Sequence, residues 1–320
     1  MENKRLIDLV KKNMQTIAAD AAADEAACLA PGLYLCATPI GNLGDITLRT
    51  LETLSRVKRI YCEDTRNTLK LLNAYGIKKP LESCHEHNEK SRAERIAAEV
   101  RAGDAVAFVS DAGMPGVSDP GAELINKFVE QGLPFVLQPG ASAMTTAWIM
   151  SGLPTKSLLF LGFLPRSGAE RAEALERIAK SADTVLIYES PLRVGAALAD
   201  IAEAIEKSGR SAEERPCALV REITKAFEEC VRGSAAELAK RFAAEPPKGE
   251  CVLAIGAAEK EAASENNGML DALLNALLNA LLCEGVSVKS AARIAAETLD
   301  MPKNAAYKRA MELNKAERED

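Results

Sequence analysis

Short continuous apolar runs alternate with stretches whose apolar residues recur every three or four positions, from residue 33 to residue 138. Runs at 33–37, 59–62, 105–110 and 134–138 predict strands. The stretches 48–57, 91–101 and 121–131 predict amphipathic helices. Asp45-Ile46-Thr47 has the character of a helix N-cap region. Strands separated by helices imply crossover connections and a mostly parallel sheet.

A second alternating block starts near Leu158. Strands are expected at 158–164, 184–188, 216–221, 226–232 and 250–256. Helices are expected at 169–180, from Pro191 to Lys207 with the proline in the first turn, and at 234–243. Ser151-Gly152-Leu153-Pro154 is a natural boundary between the blocks. Polar residues dominate 257–268, which reads as a linker. Beyond it Leu270, Leu273, Leu274, Leu277, Leu278, Leu281 and Leu282 form a helical stripe that ends at Gly285. Two further short helices, 287–298 and 303–313, complete a small bundle of helix-turn-helix character. The expected organisation is an extension at 1–30, α/β domains at 31–152 and 153–256, the linker, and a helical unit at 269–320.

Composition narrows the function. The chain has 320 residues, 48% hydrophobic and 27% charged, as in a globular protein large enough for two cores. Aromatics are only 4% and net charge is −6, which argues against a uniformly basic wrapper of nucleic acid. Eight scattered cysteines show no C-x-x-C or metal-ligand spacing and read as reduced thiols of a cytoplasmic protein. No apolar run nears the ~20 residues of a membrane span, and no membrane partner is expected. The first 30 residues lack a secretory apolar core and are expected to form a mobile or loosely helical extension.

The candidate chemistry lies in three glycine- and proline-rich loops, each following a predicted strand: TPIGNLGD at 38–45, SDAGMPGVSDPG at 110–121 and PGASA at 139–143. Loops at the carboxyl ends of neighbouring strands build a ligand crevice in open α/β sheets. Glycine and proline leave backbone amides and carbonyls open to a ligand at close range. Neither a G-x-x-x-x-G-K-[ST] loop nor a G-x-G-x-x-G sequence occurs, which weakens NTPase and dinucleotide readings.

Taken in order, TPIGNLGD, EDTR at 63–66, SDAGMP at 110–115, DPG at 119–121, YES at 188–190, REITK at 221–225 and KGE at 248–250 resemble the bacterial 16S rRNA cytidine-2′-O-methyltransferases, within the tetrapyrrole-methylase superfamily. The resemblance covers residues 33 to 256 and extends to KNAAYK at 303–308. It implies two α/β domains with S-adenosylmethionine (SAM) in the cleft between them, plus the small C-terminal helical bundle. It further implies a homodimer, and 16S rRNA or the small ribosomal subunit as partner. The positions matched to SAM binding are Pro39, then Ser110, Asp111, Ala112 and Pro115, then Gly140, Ala141, Ser142 and Ala143, and Tyr188 and Glu189 on the second domain. Two positions depart from the expected pattern. The third loop reads Gln138-Pro139-Gly140-Ala141-Ser142-Ala143 where Pro-Gly-Pro followed by a small residue is expected, and Met114 occupies a position often taken by Thr.

A ribose 2′-hydroxyl is weakly acidic, so a positioned proton acceptor would help its methylation. Asp64 is the candidate base or orienting group, and Arg66 can bind a phosphate bidentately. The same two residues could instead be an ion pair that fixes the turn. Glu222 and Lys225, after the strand at 216–221, are the second candidate pair. Asn42 suits either a substrate hydrogen bond or a turn. His85 and His87 flank Glu86, but no acid or cysteine set completes a metal site, and no metal is expected. In the C-terminal unit, residues 286–313 carry five bases (Lys289, Arg293, Lys303, Lys308, Arg309) against three acids (Glu297, Asp300, Glu312). That excess suits either a grip on RNA phosphates or a solvated face. Two rival functions remain open at this level: a methylase of tetrapyrrole intermediates, and a non-catalytic SAM sensor or ribosome-assembly factor. The appended helices and EDTR argue against the first.

Overall fold

The computed structural model describes residues 7–8, 10–12, 29–85, 88–258, 264–299 and 301–316. His87 and most of the 1–30 extension lie outside the described residues. Contacts divide the chain into two compact units, Met1–Ala258 and Glu259–Asp320.

The first sheet has five strands: β1 (Gly32–Cys36), β2 (Arg59–Cys62), β3 (Leu81–Ser83), β4 (Ala105–Val109) and β5 (Phe135–Gln138). They lie in the order β3-β2-β4-β1-β5, all parallel. The helices between them are α1 (Leu48–Arg56), α2 (Thr65–Tyr75), α3 (Glu89–Arg101) and α4 (Ala122–Glu130). Both faces of the sheet are apolar. Cys36, Leu51, Leu54 and Leu72 fill one side, and Leu35, Ile96, Phe108 and Phe128 the other. This double burial is why the strands read as unbroken apolar runs. Thr47 caps α1 by accepting from the Thr50 amide, within the cap region the sequence indicates. The terminal strand β5 differs. Phe135, Val136 and Leu137 are 38%, 44% and 47% exposed, so both of its faces are open.

The second sheet contains β6 (Leu158–Phe163), β7 (Thr184–Glu189), β8 (Pro216–Arg221), β9 (Glu229–Ser234) and β10 (Cys251–Ile255), in the order β6-β7-β10-β8-β9. Only β6 and β7 pair in parallel. The other neighbours are antiparallel. One face packs on α6 (Gly168–Lys180), α7 (Val194–Lys207) and α8 (Ala235–Ala244) through Ile178, Leu198, Ile201 and Phe242. The opposite face receives α5 (Ala143–Ser151), which springs directly from the loop after β5. Ala147, Met144 and Trp148 of α5 pack with Leu186, Ala218, Val252 and Ala254. One helix therefore belongs to the first sheet by connection and to the second by burial. It brings the carboxyl edge of the first sheet against the second.

Some local expectations shift. α7 begins at Val194, and Pro191 lies in the turn before it. Strand β9 runs 229–234 rather than 226–232, because Lys225 to Glu228 close a turn (Glu228 N to Lys225 O, 3.2 Å).

The second unit holds α9 (Ser264–Cys283), α10 (Val288–Thr298) and α11 (Lys303–Ala316). The helix α9 starts inside the stretch that reads as linker. Leu274 and Leu278 pack on Ala291, Ala295, Ala306 and Ala310. Small residues on two helices and leucines on the third give the unit its own core.

Candidate active site

The strands β4, β1 and β5 are adjacent and parallel, so the three loops emerge side by side at one edge. The first two are joined by an antiparallel bridge: Thr38 N donates to Gly113 O (2.9 Å), and Gly113 N to Thr38 O (3.0 Å). Gly140 brings the third loop against β1; a β-carbon there would sit 2.6 Å from Ala37 Cβ. Gln138, just before this loop, is a buried polar tie. Its amide oxygen accepts from Thr50 Oγ1 (3.1 Å) and its nitrogen donates to Thr53 Oγ1 (2.6 Å), which anchors β5 to α1. Glu89 is buried on α3 and accepts from the Gly121 and Leu124 amides at 3.0 Å each. It thereby fixes the end of the second loop at the start of α4.

Opposite these loops stands one edge of the second sheet. Antiparallel pairing sets Glu189 at the end of β7 beside Cys251 at the start of β10, and Cys251 beside Arg221 at the end of β8. Between the two edges lies a cleft of about 370 Å³, within the size range of small-molecule sites. Of the residues matched to SAM, Ala112, Ser142, Ala143, Tyr188 and Glu189 line it together. Pro39, Ser110 and Asp111 line a neighbouring hollow of about 280 Å³ bounded by α2. Pro115, Gly140 and Ala141 line neither and shape the loops. The cleft also takes Ile40, Gly113, Met114 and Asp119 from the first domain, and Phe163, Ile223 and Glu250 from the second.

Each side chain is held by its local structure. The Tyr188 ring meets Phe160 and Phe163 edge to face, with centroids 5.0 and 5.6 Å away. Burial raises its phenol pKa, and the Asp119 charge adds to the rise. Glu189 is buried; its Oε1 accepts from the Ser190 amide (2.7 Å). Its Oε2 lies 3.0 Å from the Arg193 guanidinium but receives no aligned hydrogen bond. The Ser110 hydroxyl reaches only the Ala112 and Gly113 carbonyls (3.4 Å each) and serves the turn. Asp111 accepts from the Asp64 amide (3.1 Å) and from Asn67 Nδ2 (2.9 Å).

Asp64 is the N-cap of α2, a helix not expected from the sequence. Its carboxylate accepts from the Arg66 amide (2.8 Å) and from the Arg66 guanidinium (2.6 Å at the shortest). Those bonds hold its pKa down at about 2. The Arg66 side chain remains 84% exposed. Glu222 and Lys225 do form a pair. Lys225 Nζ lies 2.8 Å from both Glu222 Oε1 and Glu250 Oε2, and the Glu250 amide donates to Glu222 Oε1 (3.1 Å). Glu222 and Thr224 take positive φ, 51° and 66°, an uncommon conformation for either and most costly for the β-branched Thr. Gly249 makes room for this knot: with φ at 85°, a β-carbon there would fall 2.3 Å from Glu222 Cδ.

Sequence reasoning missed Asp119 as a site residue. It lies in the cleft, half-buried, with no hydrogen-bond donor among the described residues. Burial pushes its pKa up to about 7, with Glu63, Asp111 and Glu250 adding to the rise. Its signal, the DPG motif, reads simply as a turn. His85 is described without a metal-type cluster, and no group of three potential ligands occurs among the described residues.

A family profile of the tetrapyrrole (corrin/porphyrin) methylases matches residues 32–239. The chain belongs to the tetrapyrrole methylase family. That membership makes it a methyltransferase with SAM as methyl donor. A second profile, the RsmI C-terminal HTH domain, matches residues 269–314. The chain is 40% identical over 286 residues to the ribosomal RNA small subunit methyltransferase I of Mesorhizobium japonicum, covering 89% of this chain and 93% of that one. It is 37% identical over 276 residues to the protein of the same name from Bacillus subtilis, covering 86% and 92%. Among solved structures, the uroporphyrin-III C-methyltransferase of Thermus thermophilus, complexed with S-adenosylhomocysteine, superimposes with a TM-score of 0.51. At 19% identity over 70% of this chain and 97% of that one, it shares the fold.

The cleft suits the donor of this family. Among the described residues its lining holds Asp119, Glu189 and Glu250 and no lysine or arginine. SAM carries a sulfonium and an ammonium against one carboxylate; Glu189 and Glu250 are already paired with Arg193 and Lys225, so Asp119 is the lining acid that can answer its net charge. Alanine and glycine at 112, 113 and 143 leave backbone groups reachable. No described helix is long and apolar enough to cross a membrane.

Proposed function

We propose that this protein transfers the SAM methyl group to ribosomal RNA of the small subunit, at the 2′-oxygen of a cytidine ribose in the decoding region. The observation that carries the reading is the joint match of both parts of the chain. Family profiles match the methylase unit and the helical unit separately, and relatives named for small-subunit rRNA methylation cover 86–89% of the chain at about twice the identity of the porphyrin methylase. A tetrapyrrole methylase would have no use for the HTH-like unit.

In this reading, backbone groups at Ala112, Ser142 and Ala143 hold SAM with Tyr188 and Glu189, and the donor supplies an electrophilic methyl. Pro39, Ser110 and Asp111 shape the adjoining hollow. Asp64 positions the Arg66 guanidinium for an RNA phosphate, since a carboxylate held near 2 is a weak proton acceptor at neutral pH. Glu222 and Lys225 brace the rim beside the first loop. The bases of α10 and α11 grip the rRNA backbone, which positions without reading sequence. The open β5 edge joins a second copy, since parallel sheets are normally covered on both faces. The test is methyl transfer from labelled SAM by the purified protein. Label is expected in 16S rRNA or small subunits, and none in porphyrin precursors. The reverse pattern would overturn the reading.

A further inference from the structure

Asp119 occupies an unusual place. It lies near the end of the second loop, three residues before α4, and lines the cleft from the first domain. Tyr188 stands across from it on β7. The groups acting on it are Glu63 after β2, Asp111 in its own loop, Glu250 before β10 and the Tyr188 phenol. Three are carboxylates and none is a cation. Lys225, which reaches Glu250 on that side, is committed to Glu222 and Glu250. Glu63 is itself raised, first by burial and then by Asp111. Among the described residues such a carboxylate has no ion-pair or hydrogen-bond partner, and it lines a cleft in which a cationic ligand can supply one.

The methyl donor brings such a charge and its product does not. Transfer leaves the sulfur with the electron pair of the broken S–CH₃ bond, so a sulfonium becomes a neutral thioether. We propose that Asp119 is the carboxylate that answers the positive charge of the methyl donor, and that it gives the cleft its preference for the sulfonium over the thioether product. The inference rests on the cleft being the SAM site. Before binding, Asp119 shares its proton near neutrality. Binding of a cation favours the ionised form and expels that proton. Affinity for SAM therefore rises with pH through this range, at most about tenfold per pH unit for one linked proton. The product, lacking the charge, gains less. Discharged product then leaves more readily than fresh donor, which favours turnover.

The test is isothermal titration of the full-length protein with SAM and with S-adenosylhomocysteine at pH 6, 7 and 8, in two buffers of different ionisation enthalpy. The wild type is expected to release protons on binding SAM, more than on binding the product, and to bind SAM more tightly as pH rises. Asp119→Asn is expected to lose the excess proton release and to bind the two ligands with more nearly equal affinity. The variant also subtracts the titration of the ligand's own amino group. Folding of the variant is checked by its melting curve. A raised carboxyl pKa stabilises the fold at low pH and loses that benefit as pH rises through it. The Asn variant should therefore gain on the wild type as pH rises from about 4 to 7, and hold that gain above it. Equal proton release for both ligands in the wild type, or unchanged release in the variant, would overturn the proposal. Absence of SAM binding at every pH would overturn it together with the site.

Discussion

The backbone of Gly41 lies directly against the side chain of Lys225. A β-carbon at 41 would stand 2.5 Å from Lys225 Cγ and 3.0 Å from Thr224 Oγ1. The first loop of one domain thus rests on the Glu222–Lys225 knot of the other, and that contact helps set the width of the cleft.

Gly41→Ala is expected to displace Lys225 from Glu222 and Glu250. Overpacking of this kind costs about 1–3 kcal/mol, and the cleft wall carrying Ile40 moves with it. Thermal melts and SAM titration check this: both stability and SAM affinity should fall. Unchanged SAM affinity in a destabilised variant would show that the contact serves the fold alone.

Asp64→Asn and Arg66→Ala are expected to lower rRNA methylation to a similar extent, with SAM affinity unchanged, because each removes the same positioned guanidinium. A loss confined to Asp64→Asn, in the roughly 10²–10⁴-fold range of a general base, would assign proton transfer to Asp64 itself. The pH dependence has a definite sign. Arg66 hydrogen bonds lower the Asp64 pKa to about 2, so its contribution to stability is present above about pH 4 and is lost as pH falls toward 2. The pair is exposed, so the effect is small and weakens with salt.

The sequence discloses the three loops because their chemistry is local. Glycine and proline announce a turn, and the apolar run before each announces a buried parallel strand. What it concealed depends on distant residues. α2 begins inside EDTR, whose acid and base suggest a site before they suggest a cap. The strand β3 has three half-buried residues and no alternation to detect. α5 carries apolar residues on its open as well as its buried side, with Ile149 71% exposed, so it shows no helical stripe. Asp119 acquires its character from burial in the cleft and then from Glu63 and Glu250, far away in the chain. The division of the SAM-matched residues between cleft and hollow likewise follows from how α2 packs.

Truncation after Ala258 removes the helical unit at its own boundary. SAM binding is expected to survive, since every cleft residue precedes that point. Affinity for rRNA should drop, and its log–log salt slope should flatten by roughly 0.7 for each phosphate no longer gripped. Filter binding across a salt series measures both. Equally strong and equally salt-sensitive binding would give the helices another role.

Light scattering checks the second copy. The wild type is expected at twice the monomer mass, and Val136→Lys, which charges the open β5 edge, at the monomer mass. A monomeric wild type would leave that edge to a different partner.

The central claim is the position of the transferred methyl. Mass spectrometry of nuclease fragments of 16S rRNA, from cells with and without this protein, reads it directly. One fragment from the decoding region is expected to lose a single methyl, placed on a cytidine ribose by its nuclease and alkali resistance. Purified protein and SAM should restore it. An unchanged set of ribose methyls, or a lost methyl that maps to a base, would contradict the account.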